Sequence, residues 1–285
     1  IASIRAGLKQ LGFADAEETA IGATFVKREY ERISREGVQS VVITSCCPTV
    51  NTLIEKYYPE ITECLATVMT PMQAHCMDIK RRHSDAKTVF IGPCLSKKDE
   101  AARVGVDAAL TFEEIAAMFE QKGIVLESMR DHDEKSRARL FPTSGGVLNT
   151  MTYKNPLYDY YTIDGLDNVI PALEDIRHGG IEHCFIEMSA CAGSCVRGPI
   201  MRRKHPSSVR DYQAVSSYAG KEDFNVEQPE VSQLTNEYRP AFLHKVKPSH
   251  SELMEILRKM GKVSPADELN CGTCGYNTCR DKAEA

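Results

Sequence analysis

Short apolar runs alternate along the chain with amphipathic stretches of helical period. The runs at 38–44, 87–92 and 181–188 combine β-branched and aromatic residues, which is typical of buried strands. Amphipathic stretches flank these runs, and we predict helices over about 16–36 and directly after Pro71. Alternating strands and helices are typical of an α/β protein whose mostly parallel sheets are flanked by helices.

Signals for helix ends support this assignment. Thr111 with Glu114, and Ser249 with Glu252, have the spacing of a capping box at a helix start. Gly37 follows the helix predicted over 16–36, and glycine is the residue that most often ends a helix. These signals predict helices that begin at about residues 112 and 250.

Charge and hydropathy exclude several classes of protein. The 285 residues carry a formal net charge of −5, which argues against a nucleic-acid partner. No apolar run approaches the roughly 20 residues of a membrane helix, and no signal peptide opens the chain. We therefore expect a cytoplasmic protein without a membrane partner. The count of 11 cysteines is odd, and in a chain of this size it points to metal or thiol chemistry.

Each of the three predicted strands leads directly to cysteines. Cys46 and Cys47 follow the first strand, Cys94 follows the second, and Cys191 and Cys195 follow the third. In open α/β sheets, ligands bind beyond the carboxyl ends of the strands. Four thiolates from loops distant in sequence can enclose one iron–sulfur cluster. Zinc and a purely structural, buried role are the alternatives that the spacing leaves open.

The same cysteine loops resemble a known family. TSCCP (44–48), GPCLSKKDE (92–100) and EMSACAGSC (187–195) are similar to the three signature loops of the catalytic domain of iron-only hydrogenases. The similarity extends to TPMQ (70–73) and LFPTSGGVL (140–148). Members of that family bind a 4Fe-4S cluster, which is joined through a cysteine sulfur to a diiron unit with CO, cyanide and azadithiolate ligands. The resemblance implies two lobes with the active site in the cleft between them.

Position by position, the resemblance implies a role for each cysteine of these loops. Cys47, Cys94, Cys191 and Cys195 match the ligands of the 4Fe-4S cluster, and Cys195 matches the thiolate shared with the diiron unit. Cys46 matches the cysteine that binds no iron and hands protons to the azadithiolate amine. Adjacent side chains diverge, so one of the pair can bind iron while the other faces the open side.

Other positions of these segments have matching roles. Lys97 matches a lysine that hydrogen-bonds a diiron cyanide, and Glu100 matches a glutamate near the proton route. Pro71, Met72 and Phe141 lie in segments that the resemblance places around the cofactor. A solvated surface lysine is the alternative for Lys97, and an ordinary carboxylate at a helix start is the alternative for Glu100.

The chain also departs from the family pattern. Ser189 stands where the family usually has a methionine, and we expect its hydroxyl to donate a hydrogen bond to the bridging CO. Met188 lies beside it, and its side chain should point elsewhere. Arg28 lies near a place where catalytic relatives have a proton-relaying acid, and Glu29 or Glu31 are the candidates to replace that acid. These departures resemble the divergent sensory branch of the family.

Three further cysteines lie near the end of the chain. Cys271, Cys274 and Cys279 form CGTCGYNTC, which resembles a 4Fe-4S module that takes a fourth cysteine further on. We expect a second, incomplete cluster site in a chain cut from a longer protein; a disordered tail is the alternative. The expected parts of the chain are 1–100 and 101–245 as the two lobes, and 246–285 as a helix with the cysteine motif.

Two functions from different classes remain. The first is a reversible hydrogenase of low activity, in an anaerobe, that serves H2 or redox sensing. Its partners would be H2 and protons, an electron carrier such as ferredoxin or a fused iron–sulfur or signalling domain, and hydrogenase maturases. The second is a non-catalytic, narfin-like iron–sulfur assembly protein that shares the fold. Cys46 and Lys97 have no purpose in the second reading.

Overall fold

The structure, a computed structural model, describes residues 1–131, 133–202, 208–241 and 248–285. Its longer elements are α-helices joined by short loops. Within these residues the α-helices are Ala2–Gln10 (α1), Ala20–Glu36 (α2), Pro48–Tyr57 (α3), Pro71–Arg82 (α4), Ser96–Val104 (α5), Phe112–Gln121 (α6), Gly146–Thr150 (α7), Leu166–Arg177 (α8), Pro199–Arg202 (α9), Ser208–Tyr218 (α10), Val231–Leu234 (α11), His250–Lys259 (α12) and Cys279–Glu284 (α13). Short 3-10 helices are Pro59–Cys64, Arg137–Leu140, Cys195–Arg197 and Pro265–Asp267.

The strands form two parallel sheets. They are Val41–Ile43 (β1), Val89–Gly92 (β2), Ala108–Thr111 (β3), Asp159–Asp164 (β4) and Cys184–Ser189 (β5). One sheet has the order β1–β5–β4 and the other pairs β2 with β3, with every pairing parallel. The expected α/β fold, with parallel sheets flanked by helices, is confirmed. Each sheet joins strands from both sides of residue 100, so the sheets do not follow the division of the lobes that we expected there.

The central strand β5 separates two apolar clusters. Its residues alternate between the two faces of the sheet, so Phe185 packs on one face while Ile186 and Met188 pack on the other. The Phe185 cluster includes Tyr30, Val42, Val68 and Phe185. The Ile186 cluster includes Val41, Ile43, Ile186 and Met188. Every residue of β1 and β5 is buried, because a parallel strand is covered on both faces.

The chain divides into two compact units, Ile1–Phe242 and Leu243–Ala285. In the second unit, α12 and α13 bury Leu253, Leu257 and Ala283 against one another. The capping box predicted at Ser249 and Glu252 starts α12. In neither unit does the described part of the chain contain a helix long and apolar enough to cross a bilayer.

Close contact between α2 and α4 fixes the position of the longest helix in the described chain. A side-chain carbon added to Gly22 of α2 would lie 2.2 Å from the carbonyl oxygen of Pro71 and 2.7 Å from Cβ of His75. The helix ends at Gly37, whose φ of 63° is a left-handed conformation that glycine adopts without strain. Because of the contacts at Gly22, the backbones of α2 and α4 pack there at a distance that only glycine permits.

Replacement of Gly22 by alanine tests this contact. The added methyl group meets backbone rather than a flexible side chain, so we expect Gly22→Ala to destabilise the protein by about 1–3 kcal/mol, the usual cost of overpacking. Urea unfolding of both proteins measures the change. Gly180→Ala is the matched control, because the added carbon there would come no closer than 3.5 Å to its nearest neighbour. An equal effect of both substitutions would contradict the proposed close packing.

Candidate active site

Three cysteine-bearing loops begin at the carboxyl ends of β1, β2 and β5. The loop after β1 is joined to β5, because the backbone N–H of Thr44 donates to the carbonyl oxygen of Ile186 at 2.9 Å. Cys47 precedes α3, with Pro48 in the first turn of that helix, as predicted. Hydroxyl oxygens of Thr49 and Ser96 lie 2.6 Å apart, which brings the start of α3 beside the start of α5.

The loop after β2 lies against the loop after β5. A carbon added to Gly198 would lie 3.5 Å from the carbonyl oxygen of Pro93 and 4.0 Å from Sγ of Cys191. Cys94 follows Pro93 directly, so its loop and the CAGSC loop share this contact. The three cysteine-bearing segments, distant in sequence, therefore meet at one place.

Electrostatic coupling shows which thiols face one another. Burial, with smaller contributions from Cys47 and Cys94, raises the pKa of Cys191 to about 11. Burial likewise raises the pKa of Cys195 well above its ordinary value, with smaller contributions from Cys47, Cys94 and Cys191. Cys195 also has solvent-exposed surface. The pKa of each of these two thiols thus responds to other predicted ligands, which is consistent with one shared site.

The donor set at this site consists of four thiols, the ligand type of iron–sulfur clusters and of zinc. Among the described residues, no three or more His, Cys, Asp or Glu side chains are placed to hold one metal ion. In a four-iron cluster each thiolate binds a different iron, so the sulfurs stand further apart than around one zinc ion. The four free cysteines, with their thiol chemistry, are consistent with a 4Fe-4S cluster.

Cys46 and Cys47 point to opposite sides of the β1 loop. Cys46 packs against the Phe185 cluster, whereas Cys47 packs against the Ile186 cluster. Their expected divergence is confirmed. Burial raises the pKa of the Cys46 thiol to about 12, while its hydrogen bond with Tyr30 and the charge of Lys97 oppose that rise. In this structure the Cys46 thiol therefore keeps its proton near neutral pH.

Lys97 faces the cysteines and is held by Glu100. It is only 8% exposed, and its Nζ lies 2.6 Å from Oε2 of Glu100. The other carboxylate oxygen accepts a hydrogen bond from Thr70 at 2.5 Å. The positive charge of Lys97 opposes the burial-raised pKa of Cys94 and of Cys195. Lys98 pairs instead with Glu114 at the surface. Because Lys97 is buried, the alternative of a solvated surface lysine is wrong for that residue.

The remaining predicted positions lie in different surroundings. Ser189 ends β5 and is buried, while the neighbouring Met188 points into the Ile186 cluster as expected. Phe141 packs, like Cys46, against the Phe185 cluster. Met72 fills a separate cluster with Cys76, and Pro71 opens α4. Met72 has a packing role here, and its contact with a cofactor stays a prediction.

Most of the chain is similar to one family of known proteins. A family model described as "Iron only hydrogenase large subunit, C-terminal domain" matches residues 1–158 and 150–199.

The chain belongs to the iron-only hydrogenase family. It is 29% identical over 263 residues to the periplasmic Fe hydrogenase large subunit of Nitratidesulfovibrio vulgaris, covering 69% of this chain and 62% of that protein. It is 28% identical over 255 residues to iron hydrogenase 1 of Clostridium pasteurianum, covering 68% of this chain and 44% of that protein. The matches thus span only part of the length of these relatives.

Two further similarities bear on the family assignment. The chain is 26% identical over 215 residues to the cytosolic Fe-S cluster assembly factor NAR1 of Encephalitozoon cuniculi, covering 64% of this chain and 59% of that protein. Solved structures of the FeFe-hydrogenase HydA1 from Chlamydomonas reinhardtii share the fold, with a TM-score of 0.63 at 17% identity. The structural match covers 85% of this chain and 88% of the HydA1 chain.

Glu29 and Glu31, the predicted replacements for a proton-relaying acid, form ion pairs with basic residues of α2. Glu29 pairs with Arg32 at 2.8 Å, and Glu31 lies 3.3 Å from the buried Nζ of Lys27. Arg28 donates to the carbonyl oxygen of Val226 at 2.9 Å. Arg28 therefore ties α2 to the segment at Val226, whereas the two ion pairs lie within the helix.

The C-terminal cysteines belong to the second unit. Cys271 and Cys274 are exposed, and Cys279 packs against the core formed by α12 and α13. No metal-binding group forms among the described residues of this unit. A second cluster at these cysteines stays a prediction.

Two polar residues near the site escaped the sequence analysis. Tyr30 is fully buried on α2, with its hydroxyl beside Cys46. Glu187 is 3% exposed on β5 and accepts the backbone N–H of Leu148 at 3.0 Å. A carboxylate within an apolar strand was the signal for Glu187, whereas a tyrosine on an amphipathic helix resembles any core residue.

Glu187 makes the stability of the protein depend on pH. Burial raises its pKa to about 7, although backbone N–H groups of Leu148, Val147 and Gly145 oppose the rise, and the charge of Asp164 adds to it. Below its ordinary pKa the carboxyl is protonated in both the folded and the unfolded state. Between that value and about 7 only the unfolded state ionises, so folding loses stability as the pH rises.

Glu187→Gln removes this dependence. We expect the free energy of unfolding of the variant, relative to the original chain, to increase by about 3 kcal/mol between pH 4.5 and pH 8. Urea unfolding at the two pH values measures this, and the difference between proteins cancels the other titrating groups. Glu182→Gln, at an exposed position before the same strand, is the control. A pH-independent difference for Glu187→Gln would contradict the assignment.

Proposed function

We propose that this chain is a hydrogenase catalytic domain that interconverts H2 with two protons and two electrons. The observation that carries the proposal is the meeting of four coupled cysteines with Lys97 and a fifth, divergent cysteine at one buried place. In this proposal Cys47, Cys94, Cys191 and Cys195 hold a 4Fe-4S cluster, and Cys195 also binds a diiron unit. When bound, this cofactor supplies the electrons and the position at which H2 is formed or split.

Cys46 is the proton carrier in this proposal. Its side chain packs on the opposite side from that of Cys47, which leaves its sulfur free of the cluster. The charges of Lys97 and Glu187 influence its pKa in opposite directions, which supports a position of Cys46 near both groups. A neutral thiol at this place can give its proton to the reaction, and the thiolate that remains can then take up another proton.

Lys97 and Glu100 are proposed to serve the cofactor together. The Lys97 cation offsets the negative charge of four thiolates and is available to hydrogen-bond a cyanide ligand. Glu100 fixes the lysine at 2.6 Å and is itself fixed by Thr70. Because both oxygens of the Glu100 carboxylate have hydrogen-bond partners, Glu100 orients Lys97 well. A role of Glu100 in a proton route is a further part of the proposal.

The physiological role that we propose is slow turnover for H2 or redox sensing in the cytoplasm of an anaerobe. Support comes from the departures at Ser189 and on α2, where Arg28 donates to Val226 and Glu29 pairs with Arg32. An electron carrier such as ferredoxin, or a fused iron–sulfur or signalling domain, would exchange electrons with the cluster. Maturases would insert the diiron unit, and the C-terminal cysteines would contribute to a second cluster.

Iron–sulfur assembly is the second candidate, and the similarity to the assembly factor NAR1 favours it. An assembly protein with the same cysteine site would hold the 4Fe-4S cluster and no diiron unit. Cys46 and Lys97 then have no chemical task, although both are held in place beside the cysteines. This is why the hydrogenase function ranks first.

Loading and spectroscopy separate the two functions. The chain is reconstituted anaerobically with iron and sulfide, treated with a synthetic diiron complex, and examined by infrared spectroscopy and an H2 assay. We expect CO and cyanide bands and measurable H2 turnover. Cys46→Ala should keep the bands and lower turnover by roughly 100-fold or more, the range of a lost proton-transfer group.

Cys64→Ala is the matched control, since Cys64 is a half-buried cysteine outside the site. It should keep both bands and turnover. Absence of CO and cyanide bands in the original chain would favour the assembly function, and full activity of Cys46→Ala would refute its role as proton carrier.

Ser189 offers a separate spectroscopic test. If its hydroxyl donates a hydrogen bond to the bridging CO, Ser189→Met removes that donor and should shift the infrared band of this CO to higher wavenumber, because the hydrogen bond weakens the C–O bond. Met188→Leu, a change in the neighbouring residue that points into the core, should leave the band in place. Identical carbonyl bands in Ser189→Met and the original chain would contradict this role.

A further inference from the structure

The hydroxyl of Tyr30 joins α2 to the loop that carries Cys46. It lies 3.2 Å from Sγ of Cys46 and 3.1 Å from Oγ of Ser45. It also accepts the backbone N–H of Ser45 at 2.9 Å. The side chain has no exposed surface, and its ring packs edge-on to Phe185 at 6.0 Å. Water therefore does not compete for these hydrogen bonds.

Counting protons limits how the three polar groups can bond. The Ser45 hydroxyl donates its only proton to the carbonyl oxygen of Val68 at 2.8 Å, so towards Tyr30 it can only accept. The phenol also has a single proton, and two acceptors stand within reach, Oγ of Ser45 and Sγ of Cys46. Rotation of one hydroxyl therefore selects between two arrangements.

The two arrangements leave the Cys46 proton in different places. When Tyr30 donates to Ser45, the S–H of Cys46 can donate to the phenol oxygen. When Tyr30 donates to Cys46, the S–H is free to turn away from Tyr30, toward the side where Lys97 lies. Oxygen accepts a hydrogen bond better than sulfur, so the first arrangement dominates at rest. The two arrangements differ only in their hydrogen bonds.

We propose that Tyr30 is a positioning residue that holds Sγ of Cys46 in place and sets the direction in which its S–H proton points. The inference rests on the proposed function of Cys46 as proton carrier. Tyr30 does not itself conduct protons outward, because its hydrogen bonds lead through Ser45 to the carbonyl of Val68, which has no proton to pass on. Burial also raises the pKa of Tyr30, so the phenol stays neutral.

Three variants separate positioning from a purely structural role. Tyr30→Phe keeps the ring and removes the hydroxyl. Ser45→Ala removes the oxygen acceptor and leaves Cys46 as the remaining side-chain acceptor for Tyr30, while Tyr238 still donates to the carbonyl of Val68 at 3.1 Å. Tyr160→Phe is the matched control, because Tyr160 stacks on the same Phe185 at 5.6 Å and its hydroxyl contacts Ser34 instead.

The first readout needs no metal. Infrared spectra of the chain contain S–H stretching bands, and the band of Cys46 is the one that Cys46→Ala removes. We expect Tyr30→Phe and Ser45→Ala to move this band to higher wavenumber, because both free the S–H from the phenol oxygen. Tyr160→Phe should leave it in place. An unmoved band in Tyr30→Phe would overturn the proposal, whatever the chain does with H2.

The second readout uses the chain loaded with the diiron unit. Tyr30→Phe should lower kcat for H2 formation about tenfold or more, since the Cys46 thiol is no longer held in position. Ser45→Ala keeps the contact between Tyr30 and Cys46 and should retain turnover. Equal losses in both variants would overturn the orienting role. If the original chain takes up no diiron unit, the proposed function fails by that result, while the S–H band still decides whether Tyr30 holds the thiol.

Discussion

Parallel pairing between β1 and β5 places two cysteine-bearing loops side by side at one edge of the sheet. The register sets Ile43 opposite Ile186, so both strands reach the same edge within a few residues of their cysteines. Antiparallel pairing would send one loop to the far end of the sheet. The second sheet adds Cys94 through the contact between Pro93 and Gly198. Strand direction therefore brings the loops of Cys47 and Cys191 to the same edge of the sheet, although these cysteines are more than a hundred residues apart in sequence.

Burial of this ligand set creates an electrostatic demand. Four thiolates close together in a low-dielectric place repel one another, which is why burial and mutual coupling keep Cys191 and Cys195 protonated in the free chain. A bound iron–sulfur cluster brings positive charge, and loading must then release the thiol protons. The buried Lys97 contributes one fixed cation, and Glu100 prevents it from turning away. The site is thus built for a charged occupant.

Much of this arrangement could be predicted from the sequence, and the part that could not has a physical reason. Apolar runs ending at cysteines located the loops of the candidate site, and local rules located the capping box at Thr111, because both depend on neighbours in the chain. The ion pair between Lys97 and Glu100 fits a helical spacing of three, yet nothing local says that it is buried. Tyr30 and Met72 depend on how helices pack, which a single sequence does not encode in any short pattern.

Helix packing also explains how a residue outside the signature loops reaches the site. Tyr30 lies on α2, and the depth of α2 in the fold is set where Gly22 meets the backbone of α4. The same α4 begins at Pro71, directly after Thr70, which holds Glu100 and through it Lys97. A shift of α4 would therefore move the partner of Cys46 and the anchor of the buried lysine together. The contact at Gly22 couples the two polar groups that face the cysteines, although it lies in neither loop.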